Sequence, residues 1–436
     1  MTNRRNLLRS ALALTLPVAL TLGVAGIPAQ AANITTLKFQ TDNSANSIAW
    51  ANGLVKAYMK VHRSVKIVVE IRPGGGDGDN VVKTRLATGT MDDIFFYNSG
   101  SLFQAINPVR NLVDLTDQPW QKNILSSFKS AVSAKGKVYG APAGTAMGGG
   151  MVYNRTVFAT AGITSVPKTW NDLIADCAKI KAIGVDCVEQ TYGDAWPAQI
   201  LVLADFFNVQ AADPSFAVQY TANKAKFATT PAAMAAFEHL QQLHDLGYFN
   251  ADYTTATLAQ GLTALTSGKA AIYPMLTFVG ATIDSQYPAI AKNIGFFAEP
   301  GASASSNGVT TWMPGSLYIP KKSKKINAAK AFVAWVNSPA GIAAQTASSA
   351  PSGPYLVKGA VLPANRDQIA KDLEAYFKKD GTTAPALEFL SAVKGPNLDK
   401  ITVQAGTGQL TGAAAAAAYD QDVLAQAQQL GLPGWK

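Results

Sequence analysis

Short runs of β-branched and other apolar residues alternate along the chain with longer segments in which apolar residues recur at helical spacing. Residues 65–71 are rich in Val and Ile, which is typical of a strand covered on both faces. In the segment before it, 48–62, the side chains of Trp50, Leu54 and Tyr58 fall on one face of a helix, with Trp50 directed into the core. The alternation predicts an α/β architecture of doubly wound sheets flanked by helices.

The same reasoning predicts further strands at 37–41, 93–97, 151–154, 185–188, 270–273, 294–297 and 316–320. Helices are predicted at 81–88, 155–161, 170–184, 328–336 and 413–430. Gly89 should end one helix, and Thr169 should cap another. The glycine-rich segment 73–79 lacks the Lys-Ser/Thr ending of a P-loop and the acidic partner of a dinucleotide site, so we interpret it as a flexible turn.

The composition is that of a folded protein with no nucleic-acid signature. Of the 436 residues, 48% are hydrophobic and 15% charged, which is enough apolar surface for two domains with buried cores. The net charge of +9 is spread along the chain, and its densest cluster, 321–325, reads as a solvated turn before a helix. We therefore expect no nucleic-acid partner.

The first 32 residues have the features of a signal peptide. Arg4, Arg5 and Arg9 precede an apolar stretch at 11–27, and small residues follow at 29–31. Cleavage near Ala31/Ala32 would release a soluble periplasmic protein. The adjacent arginines leave two export routes open, the general secretory route and the twin-arginine route.

The cysteines and histidines bear on the redox compartment and on metal binding. Cys177 and Cys187 form a disulfide candidate in an oxidising compartment, with two buried thiols as the alternative. His62, His239 and His244 show no metal-site spacing, and the last two read as ordinary helix residues. The sequence thus predicts no metal and no cofactor.

Several motifs occur in an order that points to one family. They are G-K-V-Y-G-A-P at 136–142, M-V-Y-N-R at 151–155, A-G-I with V-P-K-T-W at 161–170, L-T-S-G-K-A-A-I at 265–272, and the hinge strand at 315–320 with A-A-K-A-F at 328–332. In order and spacing they resemble the extracellular solute-binding proteins of carbohydrate importers, the family of maltose-binding protein. The resemblance extends over nearly the whole chain after the signal segment.

The resemblance implies a type II periplasmic-binding-protein fold of two lobes joined by hinge strands. It places 33–142 plus 277–318 in the N-terminal lobe and 143–276 plus 319–436 in the C-terminal lobe. The ligand would bind between the lobes, which would close on it. The implied partners are a sugar and the inner-membrane permease of an ABC importer, and we expect a monomer without enzymatic activity.

A sugar offers flat apolar faces edged by hydroxyl groups, so its site needs aromatic platforms and polar side chains with several donors or acceptors. The loops that the resemblance places at the cleft carry such residues. The predicted ligand-binding residues are Asp42, Asn43, Asn46, Tyr97, Asn98, Ser99, Tyr192, Asp194, Trp196, Phe278 and Trp312.

Several of these residues have structural alternatives. Tyr97 or Trp196 could pack at the edge of a core, and Asp42 could cap a helix. The chain also departs from maltose-binding protein, because Gly100 stands near a position where that relative has a carboxylate and Phe278 replaces a Trp. These differences leave the identity of the sugar open.

Two other functions compete with sugar binding. An exported glycosidase or lyase would need paired carboxylates or an activated nucleophile, and the chain has no Gly-x-Ser-x-Gly motif. A receptor for a charged solute, such as a polyamine or a phosphate ester, would carry several charges in the cleft loops. Those loops are mostly neutral and aromatic, with Asp42 and Asp194 as exceptions.

Overall fold

The computed structural model describes residues 34–364 and 366–436. The predicted signal segment, 1–32, therefore lies outside the described residues. In the part of the chain that is described, no helix combines the length and the apolarity needed to cross a bilayer.

The strands form two main sheets and one small hairpin. They are β1 (Thr35–Asp42), β2 (Val65–Arg72), β3 (Ile94–Tyr97), β4 (Ser133–Ala134), β5 (Lys137–Val138), β6 (Gly140–Pro142), β7 (Met147–Asn154), β8 (Asp186–Val188), β9 (Ala270–Leu276), β10 (Ile294–Phe297), β11 (Val309–Trp312), β12 (Ser316–Tyr318) and β13 (Thr383–Pro385). The first sheet has the order β2-β1-β3-β12-β6, and the second has the order β13-β11-β7-β9-β8 with β10 also paired to β7. Strands β4 and β5 make the hairpin.

Each main sheet is mixed. In the first sheet, β1 runs parallel to β2 and β3, while β12 is antiparallel to β3 and to β6. In the second sheet, β7 is antiparallel to β9, β10 and β11, and the edge strands β8 and β13 pair in parallel with β9 and β11. The predicted α/β class with two sheets is confirmed.

Helices cover the faces of both sheets. They are α1 (Ala45–Val61), α2 (Gly75–Thr88), α3 (Ser101–Ala105), α4 (Pro108–Asn111), α5 (Ser126–Ala131), α6 (Arg155–Thr160), α7 (Trp170–Ala182), α8 (Ile200–Ala204), α9 (Phe206–Ala212), α10 (Phe216–Thr221), α11 (Pro231–Asp245), α12 (Leu258–Ser267), α13 (Val279–Gln286), α14 (Ile326–Val336), α15 (Pro339–Ser348), α16 (Gln368–Phe377), α17 (Leu387–Leu390), α18 (Leu398–Gly406) and α19 (Gly412–Gln429). Short 3₁₀ turns connect several of them.

Local sequence signals explain where individual helices begin and end. The Thr169 side chain accepts a hydrogen bond from the Asp172 backbone N–H, and the Asp172 carboxylate accepts one from the Thr169 N–H, which completes a capping box at the start of α7. Gly89 ends α2 in the left-handed conformation, with φ +75°. Both predicted signals are confirmed.

The predicted flexible turn at 73–79 is wrong, because α2 already begins at Gly75. A Cβ atom added to Gly78 would lie 2.1 Å from the Pro73 carbonyl oxygen, so this position requires glycine for close approach to the chain that enters the helix. Asp77 in the first turn adds a favourable charge at the helix N-terminus. Gly78 thus permits tight packing at the start of α2.

The disulfide candidate is bonded in the structure. Cys177 of α7 and Cys187 of β8 are joined, with their Cα atoms 5.1 Å apart. Both residues are buried in the large hydrophobic cluster on the second sheet. The bond ties a helix to the strand that follows it.

Packing against the two sheets shows which segments belong together. Helix α14 packs on the first sheet, where the ring of Phe332 lies 5.8 Å from the ring of Phe39. Strands β10 and β11 pair with β7 in the second sheet. The chain thus passes between the sheets at 143–146, at 313–315 and between Val357 and Asp367.

Sheet membership differs from the expected lobe boundaries in two places. The range 277–318 was expected with the first sheet, but β10 and β11 within it lie in the second. The range 319–436 was expected with the second sheet, but α14 within it packs on the first. Pairing with β7 joins strands more than a hundred residues apart, and motif order along the chain does not reveal such non-local pairing.

Candidate functional site

The two sheets approach each other at two points near the crossing segments. An ideal Cβ atom on Gly75, at the start of α2, would lie 3.7 Å from the Cβ of Trp196. An ideal Cβ atom on Gly100 would lie 2.5 Å from the carbonyl oxygen of Glu388 and 3.0 Å from the Phe389 ring. These contacts define the cleft, the space bounded by the carboxyl ends of β1–β3 on one side and by the 196, 278, 312 and 388–389 positions on the other.

Trp196 and Phe278 form an aromatic pair on the second-sheet side of the cleft. Their ring centroids are 6.2 Å apart, with an angle of 32° between the rings, and both side chains are half-buried. Trp196 begins a 3₁₀ turn after the loop that follows β8, and Phe278 precedes α13. The sequence placed Trp196 and Phe278 in different lobes, with 143–276 and with 277–318, whereas the structure brings the two rings together on one side.

Trp312 lies at the end of β11, directly before the crossing at 313–315. Its indole ring rests against the backbone of β7, because a Cβ atom added to Gly149 would lie only 2.4 Å from its Cζ3. Leu276 of β9 packs beside it on the same glycine. Glycine at position 149 therefore creates the space that the indole ring occupies.

A buried polar group lies at the carboxyl ends of β2 and β3. The Arg72 guanidinium donates to the Pro73 carbonyl oxygen at 2.8 Å and lies 5.7 Å from the centroid of the Tyr97 ring. Tyr97 is fully buried, and its hydroxyl faces the Asp79 carboxyl of α2. Burial, and then the nearby Asp79 carboxylate of α2, raise the pKa of Tyr97 well above its usual value.

The Asp79 carboxyl is itself desolvated in this group. Burial raises its pKa, opposed by Tyr97, Lys83, Arg72 and Lys394. Lys394 belongs to the second-sheet side, so the charges of this group act across the cleft. The group presents a donor-rich cation, a phenol and a carboxyl within one part of the cleft.

Several predicted site residues hold local structure through side-chain hydrogen bonds. The Asp42 carboxylate accepts from the Ser44 N–H and the Ser47 hydroxyl, both at 2.9 Å, and Ser44 is the N-cap of α1. The Asn46 side-chain oxygen accepts from the Ser349 hydroxyl at 2.5 Å. Both side chains thus order the beginning of α1.

The loop after β8 shows the same pattern. The Asp194 carboxylate accepts from the Leu258 N–H at 2.6 Å, at the start of α12. Tyr192 is buried against Gly406, where an added Cβ atom would lie only 1.8 Å from the Tyr192 hydroxyl oxygen. These two residues support the loop that carries Trp196.

The remaining predicted residues lie at the end of β3 and in the loop after β1. The Ser99 hydroxyl donates to the Pro314 carbonyl oxygen at 2.9 Å and so joins the β3 end to a crossing segment. The side chains of Asn98 and Asn43 are exposed. These two amides are available for contact with a solute.

Sequence reasoning missed Arg72, Asp79 and the 388–394 segment. Arg72 ends β2, which pairs with β1, the strand that carries the predicted ligand residue Asp42. Ligands of open α/β sheets bind at the carboxyl ends of the strands, and this rule could have identified Arg72. Asp79 fell in the segment interpreted as a turn. The 388–394 segment follows β13, a three-residue edge strand for which the sequence gives no clear signal.

One group of side chains with metal-ligand chemistry lies outside the cleft residues. Asp205, His239 and Glu299 each offer one ligand atom, and these atoms lie within 4.8 Å of one another. Both carboxylates are about 1% exposed. Sequence spacing could not reveal this group, since its members come from three distant segments.

Comparison with known proteins places this architecture among binding proteins. A family model described as "Bacterial extracellular solute-binding protein" matches residues 42–343. The diacetylchitobiose binding protein DasA of Streptomyces coelicolor is 28% identical over 294 residues, a match that covers 65% of this chain and 65% of that relative. This chain thus spans just under two thirds of the length of that curated relative.

Solved structures share the fold. A chitin oligosaccharide binding protein superposes with a TM-score of 0.77 at 20% identity, covering 92% of this chain and 100% of that one. The GacH receptor of Streptomyces glaucescens, solved unliganded and with acarbose, superposes with a TM-score of 0.70 at 16% identity, covering 92% of this chain and 99% of that one. At these identities the likeness shows the fold.

Proposed function

The chain belongs to the family of bacterial extracellular solute-binding proteins, and we propose that it captures a mono- or oligosaccharide in the cleft and delivers it to an ABC importer. The aromatic pair of Trp196 and Phe278 is the observation that carries the sugar assignment. Two aromatic rings at the mouth of a cleft offer stacking surfaces for the apolar faces of pyranose rings. The names of the relatives, which bind diacetylchitobiose and chitin oligosaccharides, favour the same ligand class.

The lobes proposed here follow sheet membership. One lobe comprises 34–142 with 316–357, and the other comprises 147–312 with 367–436. The segments between them would act as hinges, and closure would enclose the sugar in the cleft. The closed form would be the species that an inner-membrane permease recognises, with the receptor exported to the periplasm as a monomer.

In this proposal the cleft side chains make different kinds of contact with the sugar. Trp196, Phe278 and Trp312 supply apolar contact area, while Asn43 and Asn98 supply amide donors and acceptors. Arg72, Asp79 and Tyr97 supply further hydrogen bonds to hydroxyl groups. Asp42, Asn46, Tyr192 and Asp194 would position the loops.

The proposal is tested by isothermal titration calorimetry with chitooligosaccharides, maltooligosaccharides and raffinose, on protein unfolded and refolded to remove retained ligand. We expect one sugar class to bind, and Trp196→Ala to weaken that binding by roughly 10–100-fold, since a buried aromatic contact contributes about 1.5–3 kcal/mol. Trp335→Ala is the matched control, because Trp335 is a half-buried tryptophan that packs on Tyr58, away from the cleft.

A charged solute is the second candidate, favoured by the buried Arg72 and Asp79 side chains. Binding of a polyamine or a phosphate ester would weaken steeply with salt, whereas sugar binding would change little. Binding of such a compound with no response to any sugar would overturn the sugar assignment and leave the family membership intact.

A further inference from the structure

The carboxyl groups of Asp205 and Glu299 lie close together in the interior, with few hydrogen-bond donors around them. Both residues are about 1% exposed. Neither oxygen of Glu299 has a hydrogen-bond partner among the described residues, and the Oδ2 of Asp205 also lacks one. Asp205 uses only its Oδ1, which accepts from the Asn208 amide at 2.7 Å. Burying carboxylates in this way is costly unless a cation or several donors compensate them.

His239 completes the group from helix α11. Its ring stacks on the indole of Trp170, with centroids 3.7 Å apart and 7° between the planes, so its orientation is fixed. Its Nδ1 is buried and has no hydrogen-bond partner among the described residues. A neutral imidazole with an unpartnered ring nitrogen can donate an electron pair to a cation.

We propose that Asp205, His239 and Glu299 bind a single structural zinc ion. Carboxylate oxygens and imidazole nitrogens are both zinc ligands, and two carboxylates would match the charge of the divalent ion. The ligand atoms lie within 4.8 Å of one another, so small side-chain rotations would bring each to the usual zinc bond length of about 2.0–2.2 Å.

The neighbouring side chain supports a closed, buried centre. Asn208 donates to Asp205 and, at 3.2 Å, to the Glu299 carbonyl oxygen, so it fixes two of the segments that carry the ligands. Its own side-chain oxygen is buried and has no hydrogen-bond partner among the described residues. Such supporting contacts orient ligands in zinc sites.

Other divalent ions fit this ligand set less well. Calcium takes six to eight oxygen ligands and rarely an imidazole, and magnesium keeps several water molecules, which a buried site of this size does not admit. Zinc accepts mixed nitrogen and oxygen ligands in a four-coordinate, dehydrated geometry. The assignment therefore departs from the expectation of no metal, which rested on the spacing of the cysteines and histidines.

The ion would join three segments of the second-sheet side that are distant in sequence. Asp205 lies at the junction of α8 and α9, His239 lies on α11, and Glu299 follows β10. A zinc ion at this point would stabilise the lobe without contacting the sugar. Sugar binding and zinc binding are therefore separate properties, and each experiment can fail independently of the other.

The test is the metal content of untagged protein refolded with zinc and then dialysed, measured by inductively coupled plasma mass spectrometry. We expect about one zinc per chain, and a melting temperature higher by about 5 °C than that of protein refolded with a chelator. Two results would overturn the proposal. One is bound calcium in place of zinc, and the other is protein without bound metal whose melting temperature does not change when zinc is added.

Glu299→Gln removes one ligand and keeps the side-chain shape, without leaving an extra buried charge, so it should fold. We expect its zinc content to fall at least roughly tenfold and its melting temperature to become insensitive to zinc. Glu238→Gln, an exposed position on α11 next to His239, is the matched control and should retain the ion. Equal zinc content in Glu299→Gln and the native protein would also overturn the assignment.

Discussion

Single residues set the shape of the cleft by what they leave out as much as by what they contribute. Gly149 leaves room for the Trp312 indole ring, and Gly100 lets the end of β3 lie against the Glu388 carbonyl oxygen and the Phe389 ring. The predicted polar ligands behave differently, because Asp42 and Asp194 already use their carboxylates on backbone N–H groups. The sugar hypothesis thus rests more on the aromatic residues than on these carboxylates. For the buried polar residues, the protonation state determines their effect on stability.

Glu189 is a buried carboxyl whose protonation should affect stability. Burial, and then the charges of Asp252 and Asp186, raise its pKa to about 8. Because the folded-state pKa exceeds the unfolded value, its favourable contribution is complete below about pH 4.5 and is lost as the pH rises to about 8. We expect Glu189→Gln to raise the melting temperature by about 3 °C at pH 9 and to change it little at pH 5.

Differential scanning calorimetry between pH 5 and pH 9 measures this effect. The informative quantity is the difference in melting temperature between the variant and the native protein. Other buried carboxyls change the melting temperature of both proteins with pH, and the difference removes their contribution. Glu238→Gln is exposed and should follow the native curve. Parallel curves for Glu189→Gln and the native protein would show that Glu189 is ionised in the folded state throughout this range.

At the scale of elements, α7 and β8 are joined both by packing and by a covalent bond. The sequence separation of the two cysteines is 10 residues, so the bond closes a short loop. Loop closure of this size stabilises the folded state by roughly 2–3 kcal/mol in the chain-entropy model. The bond lies in the core of the second-sheet side, away from the aromatic pair.

Replacing both cysteines, as Cys177→Ala with Cys187→Ala, should lower the free energy of unfolding by roughly 2–4 kcal/mol, from the lost cross-link and the small cavity left behind. Urea denaturation measures this. Sugar affinity should stay within about twofold, since no cleft residue changes. A reductant should lower the stability of the native protein and leave the double variant unaffected. If the native protein is equally stable with and without reductant, the bond has no structural role.

Sequence patterns predicted most elements, and their failures have physical causes. Strand 294–297 and the capping of α7 depend on local apolar runs and side-chain caps, which the sequence displays directly. The start of α2 was missed because glycines that permit close packing look the same as glycines that permit flexibility. Arg72 and the Asp205 group were missed because only the folded chain brings their partners together.

The whole molecule depends on how the two sheets meet. The crossing segments at 143–146 and 313–315 join adjacent strands of different sheets, so small backbone rotations there would move one side against the other. Ser99 is bonded to Pro314 at one of these crossings. The contacts at Gly75 and Gly100 are those of a closed cleft, and opening would separate them.

The closed contact can be tested by cross-linking. The ideal Cβ position of Gly75 is 3.7 Å from the Trp196 Cβ, which is the Cβ separation of a disulfide, so Gly75→Cys with Trp196→Cys should oxidise to a bond that holds the cleft shut. The φ of +58° at Gly75 adds strain of about 1 kcal/mol for cysteine, less than a disulfide of this kind contributes.

Small-angle X-ray scattering and peptide mapping then report on hinge motion. If the lobes open in solution, the oxidised variant should have a smaller radius of gyration than the same protein after mild reduction, which spares the buried native bond. Gly76→Cys with Trp196→Cys is the matched control, because an ideal Cβ at Gly76 has no atom within 4 Å, and it should cross-link poorly.

Equal cross-linking of the two pairs would mean that α2 and Trp196 have no fixed contact. Efficient bonding of the Gly75 pair with no change in radius on reduction would mean that the molecule stays closed, and solute entry would then require a rarer opening.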